Sequence, residues 1–146
     1  MKQFVYLNIL GLLLLANSYS ANAQCKTFAK QVCKAELTPF SHDGNYNAAV
    51  MIEGEEAEML KTFYSGTEYR IAICGSEPLQ NVEFLIYDDN NRLVYDNKDH
   101  NYAKSWDFKL KSTQQLRIVV KVPGNNTKAQ EARQGCVSIM FGFRDR

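Results

Sequence analysis

The chain has 146 residues, 45% of them hydrophobic and 23% charged, with 17 Lys and Arg against 16 Asp and Glu. That is the length of one ordinary domain, and so even a balance lacks the basic surplus that nucleic acid or an anionic membrane surface would call for. Eight Tyr, eight Phe and one Trp supply enough aromatic bulk to hold a core of this size together.

The first residues read as an export leader. Met1-Lys2 gives a positive start, Phe4 to Ala16 is a Leu-dominated apolar run, and Ala21-Asn22-Ala23 fits an A-x-A cleavage site. The run is shorter than the ~20 apolar residues of a spanning helix, and no later stretch approaches that length. The expectation is a leader over residues 1–23, cut near Ala23, and a single domain over 24–146 that is periplasmic or secreted. Cys25 invites a lipid anchor, but Gln24 stands where a lipoprotein carries a small residue. The cleaved, unanchored reading is preferred.

An exported chain with four cysteines, Cys25, Cys33, Cys74 and Cys136, is expected to form two disulfides. Cys74 closes one strand and Cys136 opens the last, so antiparallel neighbours would pair them, leaving Cys25 with Cys33. A continuous helix would hold those two about 12 Å apart, too far to bond. Either the segment bends or one of its cysteines staples it to the body. Zinc is disfavoured, since no C-x-x-C exists and only His42 and His100 could assist.

In chain order, Lys26 to Leu37 has helical composition with Phe28, Val32 and Cys33 on one side, stopped by Thr38-Pro39. A turn cluster at Ser41–Asn47 precedes a strand at Ala48–Ile52. Ala57–Tyr64 mixes helical composition with an alternating face and is read as strand. From Thr67 to Asp96 the alternation is plain. Tyr69, Ile71, Ile73, Phe84 and Ile86 fall on one face, Leu85 and Tyr87 on the other, and Asp88-Asp89-Asn90-Asn91 turns the chain toward Leu93 and Tyr95. Asn97–Lys104 is a polar loop. Ser105–Leu110 alternates, Leu116–Val122 is β-branched and buried, Thr127–Gln134 is polar, and Cys136–Phe143 is the last strand. The fold class expected is an all-β antiparallel sandwich, jelly-roll-like, of about seven or eight strands, with a short helical, disulfide-tethered N-terminal segment.

Tyr64, Gly66, Tyr69 and Ile71, then Leu85, Tyr87 and Asp88, then Phe108 and Leu110, then Leu116, Ile118 and Val120 follow a set pattern of core and turn positions. Over residues 55–143 the chain thereby resembles small exported bacterial β-sandwiches of the pre-peptidase C-terminal type. The resemblance implies a sandwich fold and a non-catalytic binding or targeting role. The Cys-containing segment Cys25–Phe40 is additional to that pattern.

Catalytic chemistry is hard to assemble. No G-x-S-x-G, H-E-x-x-H or Cys-His constellation is present. His42 in Ser-His-Asp-Gly suits a turn. Glu53, Glu55, Glu56 and Glu58 cluster, but acid–base hydrolysis needs two carboxyls flanking a bond. Asp88, Asp89 and Asn90 are the best oxygen ligands for calcium, without the spacing of a known calcium loop. Tyr95, His100, Tyr102 and Trp106 bracket the loop NKDHNYAK and are the candidate contacts for a ligand. The preferred reading is therefore an exported, non-catalytic binding domain for a protein or glycan of the envelope or the extracellular space. A secreted inhibitor or immunity-like protein that blocks a hydrolase is the alternative, and a small hydrolase working through Glu55 or Asp88 is the least favoured.

Overall fold

In a computed structural model, residues 20–79, 81–124 and 131–144 are described. The leader expected over 1–23 falls largely outside them, as does half of the polar stretch Thr127–Gln134.

Nine strands among the described residues build two antiparallel sheets. They are β1 (Ser41–His42), β2 (Asn47–Ile52), β3 (Glu56–Phe63), β4 (Glu68–Gly75), β5 (Glu83–Tyr87), β6 (Leu93–Asp96), β7 (Ser105–Lys109), β8 (Gln114–Lys121) and β9 (Gln134–Arg144). The first sheet runs β2-β9-β4-β7, with β1 pairing the far end of β9, and the second runs β3-β8-β5-β6. Successive strands from β2 to β5 alternate between sheets, and the β8–β9 pair returns between them. This is jelly-roll order, as expected. The extra strand over the expected count is the two-residue β1.

The period-two pattern does its work between the sheets. Ile71, Ile73, Phe84, Ile86, Leu116, Ile118, Val120 and Phe141 are all buried in one cluster with Phe63 at 0% exposure. Full burial of an aromatic or branched aliphatic side chain is worth about 1.5–3 kcal/mol. Ala57–Phe63 is indeed strand, within β3, while Tyr64 lies just past its end. The strand's register puts Phe63 opposite Gln114 and Met59 opposite Ile118, and pairing along β8 outweighs the helical preference of its Glu, Ala and Lys residues.

The opposite face of the first sheet is covered as well. Helix α1 (Ser20–Gln31) and a 3-10 turn at Cys33–Leu37 lie over it. The turn ends just ahead of Thr38-Pro39. Cys25, Ala29, Cys33 and Leu37, spaced by four, are the buried stripe and meet Ala72, Cys74 and Met140. The expected face of Phe28, Val32 and Cys33 is thus rotated: Phe28 is half-buried and Val32 is 50% exposed.

The rotation follows from the disulfides, which also differ from expectation. Cys25 bonds Cys136 and Cys33 bonds Cys74; Cys74 does not bond Cys136, nor Cys25 Cys33. Cys74 lies opposite Ser138 on β9, so Cys136 is a diagonal neighbour on the same outward face. Cys25 lies on α1 and Cys33 opens the 3-10 turn that follows it, two turns further along, so the two do not meet and each instead reaches a different strand below. Arg70 adds a polar staple. Its guanidinium donates to both Asp107 carboxylate oxygens at 2.6 and 2.7 Å and to the Glu36 and Thr38 carbonyls at 3.1 and 2.7 Å. Hydrogen bonding to Asp107 raises the Arg70 pKa above its usual value.

Candidate interaction site

The register gives the sandwich two ends. Pairs Glu68–Lys109, Phe63–Gln114 and Tyr87–Leu93 lie at one end, which is closed by the turns Tyr64–Thr67, Asp88–Arg92 and Leu110–Thr113. The other end carries the connections 53–55 and 97–104 and the described parts of the β4–β5 and β8–β9 connections, 76–79, 81–82, 122–124 and 131–133.

At the first end the structure brings together two groups that the sequence offered separately. Trp106 and the Asp88-Asp89-Asn90 turn line one groove of about 450 Å³ between the edge strands β6 and β7, with Phe108, Arg92 and Gln114. The calcium reading of that turn meets strong competition. Asp88 Oδ1 accepts from the backbone N–H groups of Asn90 and Arg92, each at 2.9 Å, and Oδ2 accepts from Arg92 Nε at 2.8 Å. Asp89 Oδ1 accepts from Asn90 Nδ2. The Arg92 N–H above all holds the Asp88 carboxyl below the ordinary carboxylate range. Among the described residues no three His, Cys, Asp or Glu side chains gather closely enough to hold a metal ion.

The aromatic candidates separate. His100, Tyr95 and Trp106 form one ladder continued by Phe108, with ring centroids 5.0, 4.8 and 4.5 Å apart in succession and near-parallel planes. Tyr95 also leans on buried Phe84 at 5.3 Å, and burial raises its hydroxyl pKa. These rings stack on one another along the open side of the sandwich, where β6 and β7 face each other. Their faces are largely taken up in closing that seam. Tyr102 stands apart at the second end, at φ +54, between two hollows of about 330 and 230 Å³ that it shares with Leu79 and Asn81.

The remaining acids and His42 each have their own partner. His42 Nε2 bonds the Asn45 carbonyl at 2.9 Å, and Asp43 caps the Asn45 N–H and meets Lys61 at 3.1 Å. Glu53 binds Arg133, Glu55 caps the Ile52 N–H, Glu56 meets Lys121 and Glu58 meets Arg117. Each of the four glutamates is thus engaged by a different partner.

The feature that sequence reasoning missed is Tyr64. The sequence offered it only as the end of the Ala57–Tyr64 strand and as one of the core and turn positions of the family pattern; its phase, one residue on from Phe63, is the signal that could have placed it outward. In the structure Tyr64 is 63% exposed, the largest exposure of any big apolar side chain among the described residues. It rides on a turn whose backbone is tied to neighbouring segments. The N–H of Tyr64 donates to Tyr69 Oη at 3.2 Å, that of Ser65 to Thr113 Oγ1 at 3.0 Å, and that of Gly66 to the Leu110 carbonyl at 3.5 Å. Gly66 sits at φ +88 with open space around it, so the backbone bend rather than crowding requires glycine. Three successive amides of a surface turn are thus satisfied by three acceptors outside it.

No family model matches the chain, and no curated protein does. Seven chains of solved structures match. One is the Aeromonas hydrophila protein PliG, a periplasmic lysozyme inhibitor of g-type lysozyme, at TM-score 0.51 and 13% identity over 73% of this chain and 89% of that one. At that identity the likeness speaks to the fold: an antiparallel β-sandwich built around much of the described chain.

Proposed function

We propose that this chain is an exported, non-catalytic protein that blocks a lysozyme-class cell-wall hydrolase by seating its Tyr64 turn in the enzyme's cleft. The observation that carries the reading is the turn itself: a largely exposed aromatic ring on a backbone tied at Tyr64, Ser65 and Gly66. An inhibitor gains affinity by presenting a large side chain already ordered, because little conformational freedom is then lost on docking. The likeness to PliG supports the partner class. The leader-like start and the two disulfides support export. A protein partner is favoured over a glycan, since the aromatic faces best suited to sugars are stacked on one another. The pre-peptidase C-terminal resemblance is retained as a proposal about kinship, and it agrees with a non-catalytic role.

The test is a bacterial cell-wall lysis assay with g-type lysozyme, and with the other lysozyme types in parallel, titrated with the oxidised protein. We expect stoichiometric inhibition of at least one type through a 1:1 complex. Tyr64→Ala is expected to weaken it by about tenfold or more, the behaviour of an interface anchor, with an unchanged melting point. Failure to bind or inhibit any lysozyme type would sink the reading.

A further inference from the structure

The Tyr64 turn and the turn that follows β7 are separate in sequence, yet one is fastened to the other. Ser65 N–H donates to Thr113 Oγ1 at 3.0 Å and Gly66 N–H to the Leu110 carbonyl at 3.5 Å, so both contacts land on the 110–113 connection. Thr113 is exposed and joins no buried cluster. Its hydroxyl therefore contributes to the shape of the neighbouring turn more than to the core. A Ser65 amide left in the open would be solvated equally well in several backbone conformations. An acceptor fixed at the start of β8 (Gln114 begins the strand) selects one of them.

We propose that Thr113 is a positioning residue for the interaction site: without contacting the partner, its hydroxyl locks the backbone of the Tyr64 turn into the form that binds. This rests on the inhibitor reading above and adds to it the residue that sets the turn's geometry. It predicts that substitutions in the 110–113 turn alter affinity through the order of residues 64–66.

The experiment compares Thr113→Val, which keeps the shape and removes the acceptor, with Thr113→Ser, which keeps the acceptor. Three readouts are taken on the full disulfide-bonded protein: the melting point, amide hydrogen exchange at Ser65, and association and dissociation rates with the lysozyme type that the wild type inhibits. For Thr113→Val we expect faster Ser65 exchange and affinity lower by about three- to tenfold, the range for one lost hydrogen bond, at an essentially unchanged melting point. Thr113→Ser should restore both exchange and affinity to within about twofold. The proposal is overturned if Thr113→Val binds like wild type, or if Ser65 exchange is unaffected. It is equally overturned if Thr113→Ser loses as much affinity as Thr113→Val, since that would make the methyl group a direct contact. A wild-type protein that inhibits no lysozyme would instead bring down the inhibitor reading, and the role in binding with it. That outcome is recognisable because it precedes any comparison of variants.

Discussion

At the scale of single residues, Asn97 illustrates how a polar side chain can organise a loop. It is 1% exposed. Its Oδ1 accepts from Phe84 N–H at 2.8 Å, and its Nδ2 donates to the Val82 and Ala103 carbonyls at 2.9 and 3.2 Å. One amide thereby joins the start of β5 to both limbs of the 97–104 connection, and it sets the path along which His100 and Tyr102 are presented. Asn97→Ala would strand a buried donor and two carbonyls. We expect it to cost about 3 kcal/mol, read as a melting point lower by roughly 10 °C. A loss under about 1 kcal/mol would mean that water enters and replaces the amide. Within NKDHNYAK, Asn97 looked like any other loop asparagine. Only the convergence of three backbone groups on it gives it this role.

At the scale of elements, α1 and its 3-10 turn are joined to the sandwich by two disulfides with sequence separations of 111 and 41 residues. On loop-closure entropy the first should contribute nearly 5 kcal/mol and the second about 4 kcal/mol. Replacing Cys25 and Cys136 together by Ala is therefore expected to cost slightly more than replacing Cys33 and Cys74, measured as the shift in denaturant midpoint at constant slope. The reverse order would show that local packing of Cys33 and Cys74, which lie within the cluster beneath the helix, outweighs chain entropy. On the proposed inhibitor reading, either pair removed should leave inhibition intact in the fraction still folded, because the Tyr64 turn joins β3 and β4 at the end of the sandwich away from these bonds.

For the whole molecule, two carboxylates hold connections at opposite ends. Asp88 organises its turn at one end, and Glu53 at the other accepts from Arg133 N–H at 2.9 Å and Nε at 2.7 Å. Hydrogen bonding from the Arg133 side chain, followed by its backbone N–H, holds Glu53 below its ordinary pKa, and Asp88 is lowered in the same sense. Groups with depressed native pKa values stabilise the fold fully above their unfolded values and lose that contribution as pH falls through the native ones. The melting point should accordingly be flat near neutrality and decline below roughly pH 4. The Glu53→Gln, Asp88→Asn double variant should show a shallower decline from a lower plateau. An acid limb of unchanged slope would assign the loss to other carboxylates.

Much of this molecule was legible in the residues alone. Strict alternation in β4, β5 and β7 told which side chains enter the core, because a strand's side-chain period of two leaves a half-buried sheet no other register. The Asp/Asn and Gly positions gave the turns for the same local reason. The partnership of the cysteines was not legible, since bonding depends on which outward-facing strand position lies beneath each helical turn, and that is set by how α1 crosses the sheet. The site was half legible. The Trp106 strand and the Asp88 turn could each be named from sequence, but their meeting at one groove is a consequence of two edge strands from different sheets. Tyr64 took its importance from acceptors at Leu110, Thr113 and Tyr69, two of them more than forty residues away. Local periodicity determines the faces that strands present; which turns meet at the end of a sandwich is decided by long-range pairing, which only the tertiary structure records.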